Sequence, residues 1–216
     1  RRLPTGVTPS LGPDATGVGW VYQYAVVAKD MTLAELRSVQ DWIIRYGISK
    51  AEGVAEVAGV GGFVKQYNVV VDPLRAQGIS LQSLRDAIRS SNMDVGGRTV
   101  ELSEFEFVVR GRGYLRNIED IQNIVLKTDA GTPLRVRDIA NVELGPDERR
   151  GITELNGEGE VASGIALQRF GSNALTVIDN VKARLAEIAS SLPKGVEVLP
   201  VYDRSELIKA AIETLK

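Results

Sequence analysis

The strongest constraint on the fold is a strand–helix–strand pattern that occurs once near each end of the chain. The first copy has an aromatic and β-branched strand at Trp20–Lys29, a helical segment that ends near Gly47, and a strand at Val54–Val60. In the second copy, a strand-like segment precedes the clear amphipathic helix of Ala174–Ile188, and a strand follows at Val196–Tyr202. The two copies complement each other as the βαβ halves of a split, ferredoxin-like sandwich.

Short local signals mark where these elements begin and turn. Thr32 and Glu35 have the spacing of a capping box, and Asn173 precedes the second helix as an N-cap. Asn156-Gly157 predicts a two-residue hairpin turn. Gly61-Gly62 separates two strand-like runs, so we expect a hairpin there as well.

The middle of the chain predicts a second α+β unit. Asp72-Pro73 breaks the pattern, and Ser80 can cap a short helix. Strands are predicted at Arg98–Leu102, Glu104–Gly111 and Leu134–Leu144. The predicted fold class is therefore α+β, with one discontinuous domain interrupted by an inserted domain.

Composition excludes several kinds of site. The chain contains neither His nor Cys, so imidazole and thiolate ligands, disulfides and Cys or Ser–His nucleophiles are excluded. Its formal net charge of -2 and scattered basic residues disfavour nucleic acid as a partner. No apolar run is long enough to span a membrane. The loop-like start and the uncapped helical pattern at Lys216 lead us to expect an excised fragment.

Acidic clusters are the nearest approach to a catalytic or metal site. Glu101, Glu104 and Glu106 are interpreted as a solvated strand face, with Glu101 pointing away from the other two. A second group, which flanks the Asn-Gly turn, is interpreted as an exposed hairpin; its members are Glu154, Glu158 and Glu160. We therefore predict no catalytic, cofactor-binding or metal-binding residue in this chain.

Two further features have a structural and a functional interpretation. Gly59–Gly62 has the glycines of a phosphate-binding loop but lacks the Lys-Ser/Thr and the following helix, which favours a tight turn. Trp20 and Trp42 are expected to be core residues rather than a stacking platform for a ligand or a single-stranded nucleic acid.

Segments spread over all 216 residues resemble one known family, the heavy-metal branch of the resistance–nodulation–division (RND) efflux pumps. The branch comprises copper/silver and cobalt/zinc/cadmium exporters, and its GPDERRG…ELNGEGEV stretch separates it from the drug exporters. The segments that carry the resemblance are LGPDATGVGWVYQY (Leu11–Tyr24), LRSVQDWIIRY (Leu36–Tyr46), VAEVAGVGGFVKQYNVVVDP (Val54–Pro73), GPDERRGITELNGEGEV (Gly145–Val161) and LPKGVEVLPVYDRSELI (Leu192–Ile208).

The resemblance implies a position and a set of partners. The chain would be most of the first large periplasmic loop of an inner-membrane, proton-driven pump. Residues 1–72 and 159–203 would form a discontinuous pore subdomain, residues 73–158 an inserted docking subdomain, and residues 204–216 would lead to the second transmembrane helix. The pump would be a homotrimer that joins a periplasmic adaptor (membrane fusion) protein and an outer-membrane channel. Its metal ligands and proton relay would lie outside this chain.

One segment is expected to contact a neighbouring protomer. By resemblance, the docking subdomain extends a hairpin arm into the neighbouring protomer. The residues of this arm are Gly96, Gly97, Arg98, Thr99, Val100, Glu101, Leu102 and Ser103. The alternation of Val100 and Leu102 with polar residues allows one face to pack. We expect this arm to be mobile in the isolated chain; the alternative is a local hairpin packed on its own domain.

Two other functions remain open at this point. The chain could be a free-standing, ferredoxin-like module that binds a small ligand or regulates another protein, or a hydrolase that uses its acidic clusters. Apolar helices encoded on both sides of this segment would favour the pump, whereas a stop codon near Lys216 would favour the module.

The composition predicts that the chain binds neither Cu(I), Ag(I) nor Zn(II) tightly. Thiolate and imidazole ligands are absent, and Met31 and Met93 are far apart in the sequence. Calorimetric titration of the chain with each metal tests this. A stoichiometric site of sub-micromolar affinity would contradict the prediction.

Overall fold

Helices and strands alternate at both ends of the chain in the predicted order. The structure is a computed structural model that describes residues 11–76, 78–102, 105–129, 131–149 and 151–215. In chain order the elements are β1 (Trp20–Val27), α1 (Leu33–Val39), α2 (Arg45–Ile48), β2 (Val54–Val60), β3 (Lys65–Val71), α3 (Leu81–Ser90), β4 (Val95–Leu102), β5 (Phe105–Gly111), α4 (Ile118–Gln122), β6 (Val125–Asp129), β7 (Thr132–Arg135), α5 (Val136–Ile139), β8 (Ala140–Pro146), β9 (Ala162–Gln168), α6 (Ala174–Ile188), β10 (Glu197–Asp203) and α7 (Arg204–Thr214).

The chain divides into two compact units. The first unit consists of Arg1–Lys65 and Pro146–Lys216, and the second unit is Gln66–Gly145. A π-helical turn at Gln40–Ile44 joins α1 to α2, so the first helical stretch is continuous to Ile48. Short 3-10 turns precede β1 and follow α6.

A four-stranded sheet forms the centre of the first unit, in the order β10-β1-β9-β2. All of its neighbouring strands are antiparallel. Each βαβ half contributes one inner strand and one edge strand, because β1 and β2 come from the first half and β9 and β10 from the second. The α+β fold class is confirmed, and this strand order is the one expected for two interleaved βαβ halves.

Capping signals in the sequence define the helix starts. The hydroxyl of Thr32 accepts from the backbone N–H of Glu35, whose carboxylate accepts from the backbone N–H of Thr32, so the predicted capping box is present. Asn173 caps α6 through the backbone N–H of Thr176. These bonds satisfy backbone donors that would otherwise lack partners in the first helical turn.

The core of the first unit lies between the sheet and helices α1, α2 and α6. The apolar spacing of the two helical segments explains this, because it places one stripe of each helix against the strands. Buried members of this core include Val21, Tyr22, Tyr24, Val26, Leu36, Val39, Ile44, Ile48, Val54, Val57, Ala162, Ala166, Val177, Ile178 and Val181.

The hairpin predicted at Gly61-Gly62 is wrong. The strands on its two sides were placed correctly, but β2 pairs with β9 and β3 pairs with β8. Both glycines have positive φ, 72° and 66°, so the chain changes direction there without pairing its two arms. The predicted Asn156-Gly157 turn forms between Glu154 and Glu160, which make an isolated antiparallel bridge.

The second unit contains the strand pairs β3-β8, β4-β5 and β6-β7. Its core lies under α3, α4 and α5, and its buried members are Leu84, Ile121, Ile124, Val136, Ile139, Ala140 and Val142. The single strand predicted over Leu134–Leu144 is interrupted, because Val136 and Ile139 both point into this core and thereby require one helical turn, α5.

The compact units do not divide at the boundaries predicted from the sequence, 72/73 and 158/159. They divide at 65/66 and 145/146. Since β3 pairs with β8, both strands belong to the second unit. Residues 146–158 belong to the first unit, where the carbonyl of Thr153 accepts from the N–H of Val161 at 2.9 Å and its hydroxyl lies 3.2 Å from that of Ser163.

A buried polar layer separates the first helical stretch from the sheet. Tyr24 and Gln40 are both fully buried. Their hydroxyl and amide groups have no hydrogen-bond partner of good geometry among the described residues. Burial raises the pKa of the Tyr24 phenol well above its usual range, and the neighbouring Gln40 amide opposes this shift. The layer fits against β9 because Gly164 has no Cβ.

Substituting Gly164 by Ala should destabilise the chain. The new Cβ would lie 2.2 Å from the Tyr24 hydroxyl oxygen and 2.8 Å from Nε2 of Gln40. Overpacking of this kind costs about 1–3 kcal/mol of the free energy of unfolding. Urea denaturation followed by circular dichroism measures it.

Gly17→Ala is the matched control for this prediction. A Cβ at Gly17 meets no atom within 4 Å, so its effect should stay within about 0.5 kcal/mol. Equal unfolding midpoints for the two variants would show that Tyr24 moves aside freely.

Candidate functional site

The antiparallel strands β4 and β5 (Val95–Leu102 and Phe105–Gly111) expose several large apolar side chains, and we call this pair the hairpin arm. Its register places Thr99 opposite Val108, Val100 opposite Phe107 and Glu101 opposite Glu106. Because side chains alternate along a strand, these successive pairs lie on alternating faces of the arm.

One face of the hairpin arm is apolar and open to solvent. Val100 and Phe107 face each other, and the rings of Phe105 and Phe107 lie 6.5 Å apart. Phe105 is 70% exposed and Val108, on the opposite face, is 74% exposed. A contiguous exposed apolar patch is typical of an interaction surface.

The structure places the predicted contact residues on this arm. Gly96 to Leu102 belong to β4, whereas Ser103 lies outside the described residues. Gly97 approaches β5 so closely that a Cβ would lie 1.8 Å from the carbonyl oxygen of Val109, so only glycine fits there. The predicted contact residues end at Ser103 and omit the β5 half of the arm, although the alternation EFEFVVRG was the signal for it.

The predicted orientation of Glu101 is wrong. Glu101 and Glu106 lie on neighbouring antiparallel strands, β4 and β5, and face each other directly. Neither carboxylate has an ion-pair or hydrogen-bond partner in the part of the chain that the structure describes. Glu104 lies outside the described residues. The arm therefore carries two adjacent carboxylates that no described side chain neutralises, on the face that also carries Val108.

Both tryptophans are exposed, which corrects their assignment to the core. Trp20 is 49% exposed and Trp42 is 71% exposed. Trp42 stacks on Tyr46 one helical turn later, with ring centroids 6.1 Å apart. Between Gln40 and Ile48, the buried positions are instead Gln40, Ile44, Gly47 and Ile48.

The Gly59–Gly62 segment borders a pocket of about 380 Å³. Arg37 and Arg149 line it, and each guanidinium is already paired with a carboxylate of the same unit. Arg37 contacts Asp41 at 2.7 Å, and Arg149 contacts Glu160. Among the described residues that line this pocket, no positive charge is therefore left unpaired to bind a phosphate group.

Metal-ligating side chains do not cluster in the described residues. They contain no group of three or more His, Cys, Asp or Glu residues arranged to hold an ion. Met31 packs against the core of the first unit, whereas Met93 is exposed in the second. None of the described helices has the length and apolar character needed to cross a membrane.

Comparison with known proteins gives one consistent family. The chain is 52% identical over 219 residues to the cation efflux system protein CusA of Escherichia coli (strain K12), covering 99% of this chain and 21% of the relative. It is 36% identical over 226 residues to the cobalt-zinc-cadmium resistance protein CzcA of Cupriavidus metallidurans, covering 100% of this chain and 21% of the relative.

A solved structure agrees with these sequence matches. An X-ray crystal structure of a heavy metal efflux pump, crystal form II, superimposes with a TM-score of 0.87 at 34% identity, covering 98% of this chain and 21% of that chain. The chain thus spans about a fifth of the length of the proteins it matches. The sequence model of the AcrB/AcrD/AcrF family matches residues 1–216, so the chain belongs to that family.

Proposed function

We propose that this chain is a periplasmic portion of a proton-driven, heavy-metal cation efflux transporter of the inner membrane. The first unit contributes pore scaffold, and the second unit contributes a docking surface. Family membership and the named efflux and resistance relatives support this. The transporter is a homotrimer that joins a periplasmic adaptor protein and an outer-membrane channel, and this portion has no enzymatic role.

The hairpin arm is the observation that carries the docking role. A two-stranded hairpin is marginal in water on its own, and this one leaves Val100, Phe105 and Phe107 open to solvent on one face. An apolar face of this kind is stable when another surface covers it. A neighbouring copy of the same chain supplies that surface in a trimer.

A free-standing ligand-binding module is less well supported. The pocket beside Gly59–Gly62 has both of its guanidinium groups paired with carboxylates of the same unit. The chain also aligns along its whole length with a fifth of much longer transporters, 21% of CusA for example. A portion of a transporter accounts for both observations.

Replacing Val100 and Phe107 together by Asp should disrupt the trimer of the full-length transporter. The two side chains form one apolar cross-strand pair, and two carboxylates there cannot be buried against a neighbour. We expect the trimer association constant to fall by at least about tenfold. Analytical ultracentrifugation in detergent measures it.

Leu81→Asp is the control, since Leu81 is 71% exposed on α3 and lies outside the arm. It should leave the trimer intact. Hydrogen exchange at residues 96–102 gives a second measurement, with slower exchange expected in the trimer than in the isolated chain. A trimer that tolerates the double substitution, or equal exchange in both states, would rule out the docking role.

The isolated 216-residue chain should be monomeric at micromolar concentration. Trimer contacts in a transporter about five times longer are shared among several parts of the polypeptide, so this portion alone buries too little surface. Sedimentation equilibrium tests this. A stable trimer of the isolated chain would show that the docking surface alone drives association.

A further inference from the structure

Strand β10 continues directly into helix α7, with no loop between them. Asp203 is the last residue of β10, and α7 begins at Arg204. The backbone of Asp203 is still extended, with φ -127° and ψ 104°, so the change from strand to helix takes place at this residue. Asp203 is therefore the hinge position that sets the direction in which α7 leaves the sheet.

The first unit holds α7 by its first turn and leaves the rest of the helix projecting. Ser205 is 2% exposed and Ile208 is partly buried, whereas every residue from Lys209 to Leu215 is exposed. A helix of 11 residues is about 16 Å long. A small rotation at Asp203 would therefore move the far end of α7 by several ångströms.

The side chain of Asp203 is bound on both of its oxygens. Oδ2 pairs with Nζ of Lys182 on α6, and Oδ1 accepts from the backbone N–H of Ser205 at 2.9 Å, which caps α7. Partial burial opposes the ionisation of Asp203, but the hydrogen bonds from Lys182 and Ser205 lower its pKa below the usual range. The bond to Asp203 raises the pKa of Lys182. Both partners are therefore charged at neutral pH.

The parts of the first unit that surround this ion pair are firmly packed. Val181, the residue before the lysine on α6, is fully buried. Tyr22 of β1 lies opposite Asp203 in the β1–β10 ladder and is 5% exposed. Arg204 adds a further contact, because its Nη1 donates to the carbonyl of Val18. The ion pair therefore connects the hinge position to the core of the unit.

The position of this ion pair sets it apart from local surface pairs. Arg37–Asp41 and Arg184–Glu187 each join residues on the same helical stretch. Lys182–Asp203 joins α6 to the junction of β10 and α7, and the Asp203 side chain is only 13% exposed. Exposed pairs contribute little, whereas removing one partner of a buried pair leaves the other charge poorly solvated.

We propose that the ion pair of Lys182 and Asp203 is a clamp that locks the hinge between β10 and α7, so that a displacement of α7 moves the four-stranded sheet. Without the clamp, rotation at Asp203 would take up the displacement. The inference rests on the proposed transport function, in which movements of different parts of the transporter must be coupled. Lys182 is a positioning residue in this role, because it acts through Asp203.

Spin labels in the 216-residue chain test whether the clamp locks the hinge. The chain has no Cys, so Ala186→Cys on α6 and Ala210→Cys on α7 give two specific labels, and pulsed electron paramagnetic resonance measures their separation. Lys182→Met and Asp203→Asn each remove the ion pair, while Asn retains a capping oxygen. Each should broaden the distance distribution by about 4 Å, since a rotation of about 20° acts over about 10 Å of helix.

Two further variants complete this measurement. Lys182→Arg keeps the charge and should keep the narrow distribution, and the double variant Lys182→Met with Asp203→Asn should be no broader than either single variant. Lys194→Met is the matched control, because it makes the same substitution at an exposed lysine in the turn before β10. Circular dichroism verifies that each variant is folded. Equal widths in the parent chain, Lys182→Met and Asp203→Asn would overturn the inference.

Metal-dependent proton flux through the full-length transporter in proteoliposomes tests the use of the clamp, with Cu(I), Co(II), Zn(II) and Cd(II) as probes. Lys182→Met and Asp203→Asn should each lower the maximum rate by at least about threefold and leave KM unchanged, and Lys182→Arg should keep the parent rate. An unchanged maximum rate despite a broadened distance distribution overturns the coupling role. If the parent transporter moves none of the four metals, the proposed function fails, and the spin-label result then decides the clamp separately.

Discussion

The fold of the first unit depends on β9, the strand that follows the second unit in sequence and lies between β1 and β2 in the sheet. Its backbone closes two antiparallel ladders at once, with Gly164 opposite both Tyr24 and Gly59. Near one end of the second ladder, Val60 faces Ser163, so the chain leaves and re-enters the sheet at adjacent positions. A long insertion is tolerated where its two ends lie side by side, because the sheet is then not strained by the inserted residues.

The same dependence on long-range pairing explains how much of the fold could be predicted. Strands, helices and caps are encoded locally, so β2, β3 and the capping box at Thr32 were placed correctly. Pairing between β2 and β9 joins residues about a hundred positions apart, and no local pattern encodes it. The predicted hairpin at Gly61-Gly62 failed for this reason. Two strands that are adjacent in sequence can pair with each other or each with a different strand, and the local pattern is the same in both cases.

The candidate site was predicted in part, and the errors have a physical cause. Alternation along β4 placed Val100 on one face correctly. The same alternation was continued from Glu101 to Glu106, which lie on two different strands, and it therefore misplaced Glu101 relative to Glu106. The prediction for Trp42 failed for a different reason. Residue type alone does not determine burial, because apolar atoms also contribute much of a folded protein's accessible surface.

Three independent features of the hairpin arm lead to the same conclusion about its stability. Two strands alone are marginal in water, the apolar pair Val100 and Phe107 is exposed, and Glu101 repels Glu106 across the strands. Each feature disfavours the arm in an isolated chain, and cover by another surface would offset the exposure of the apolar pair. Under the proposed docking role, association would stabilise the arm and would link the folding of this segment to assembly.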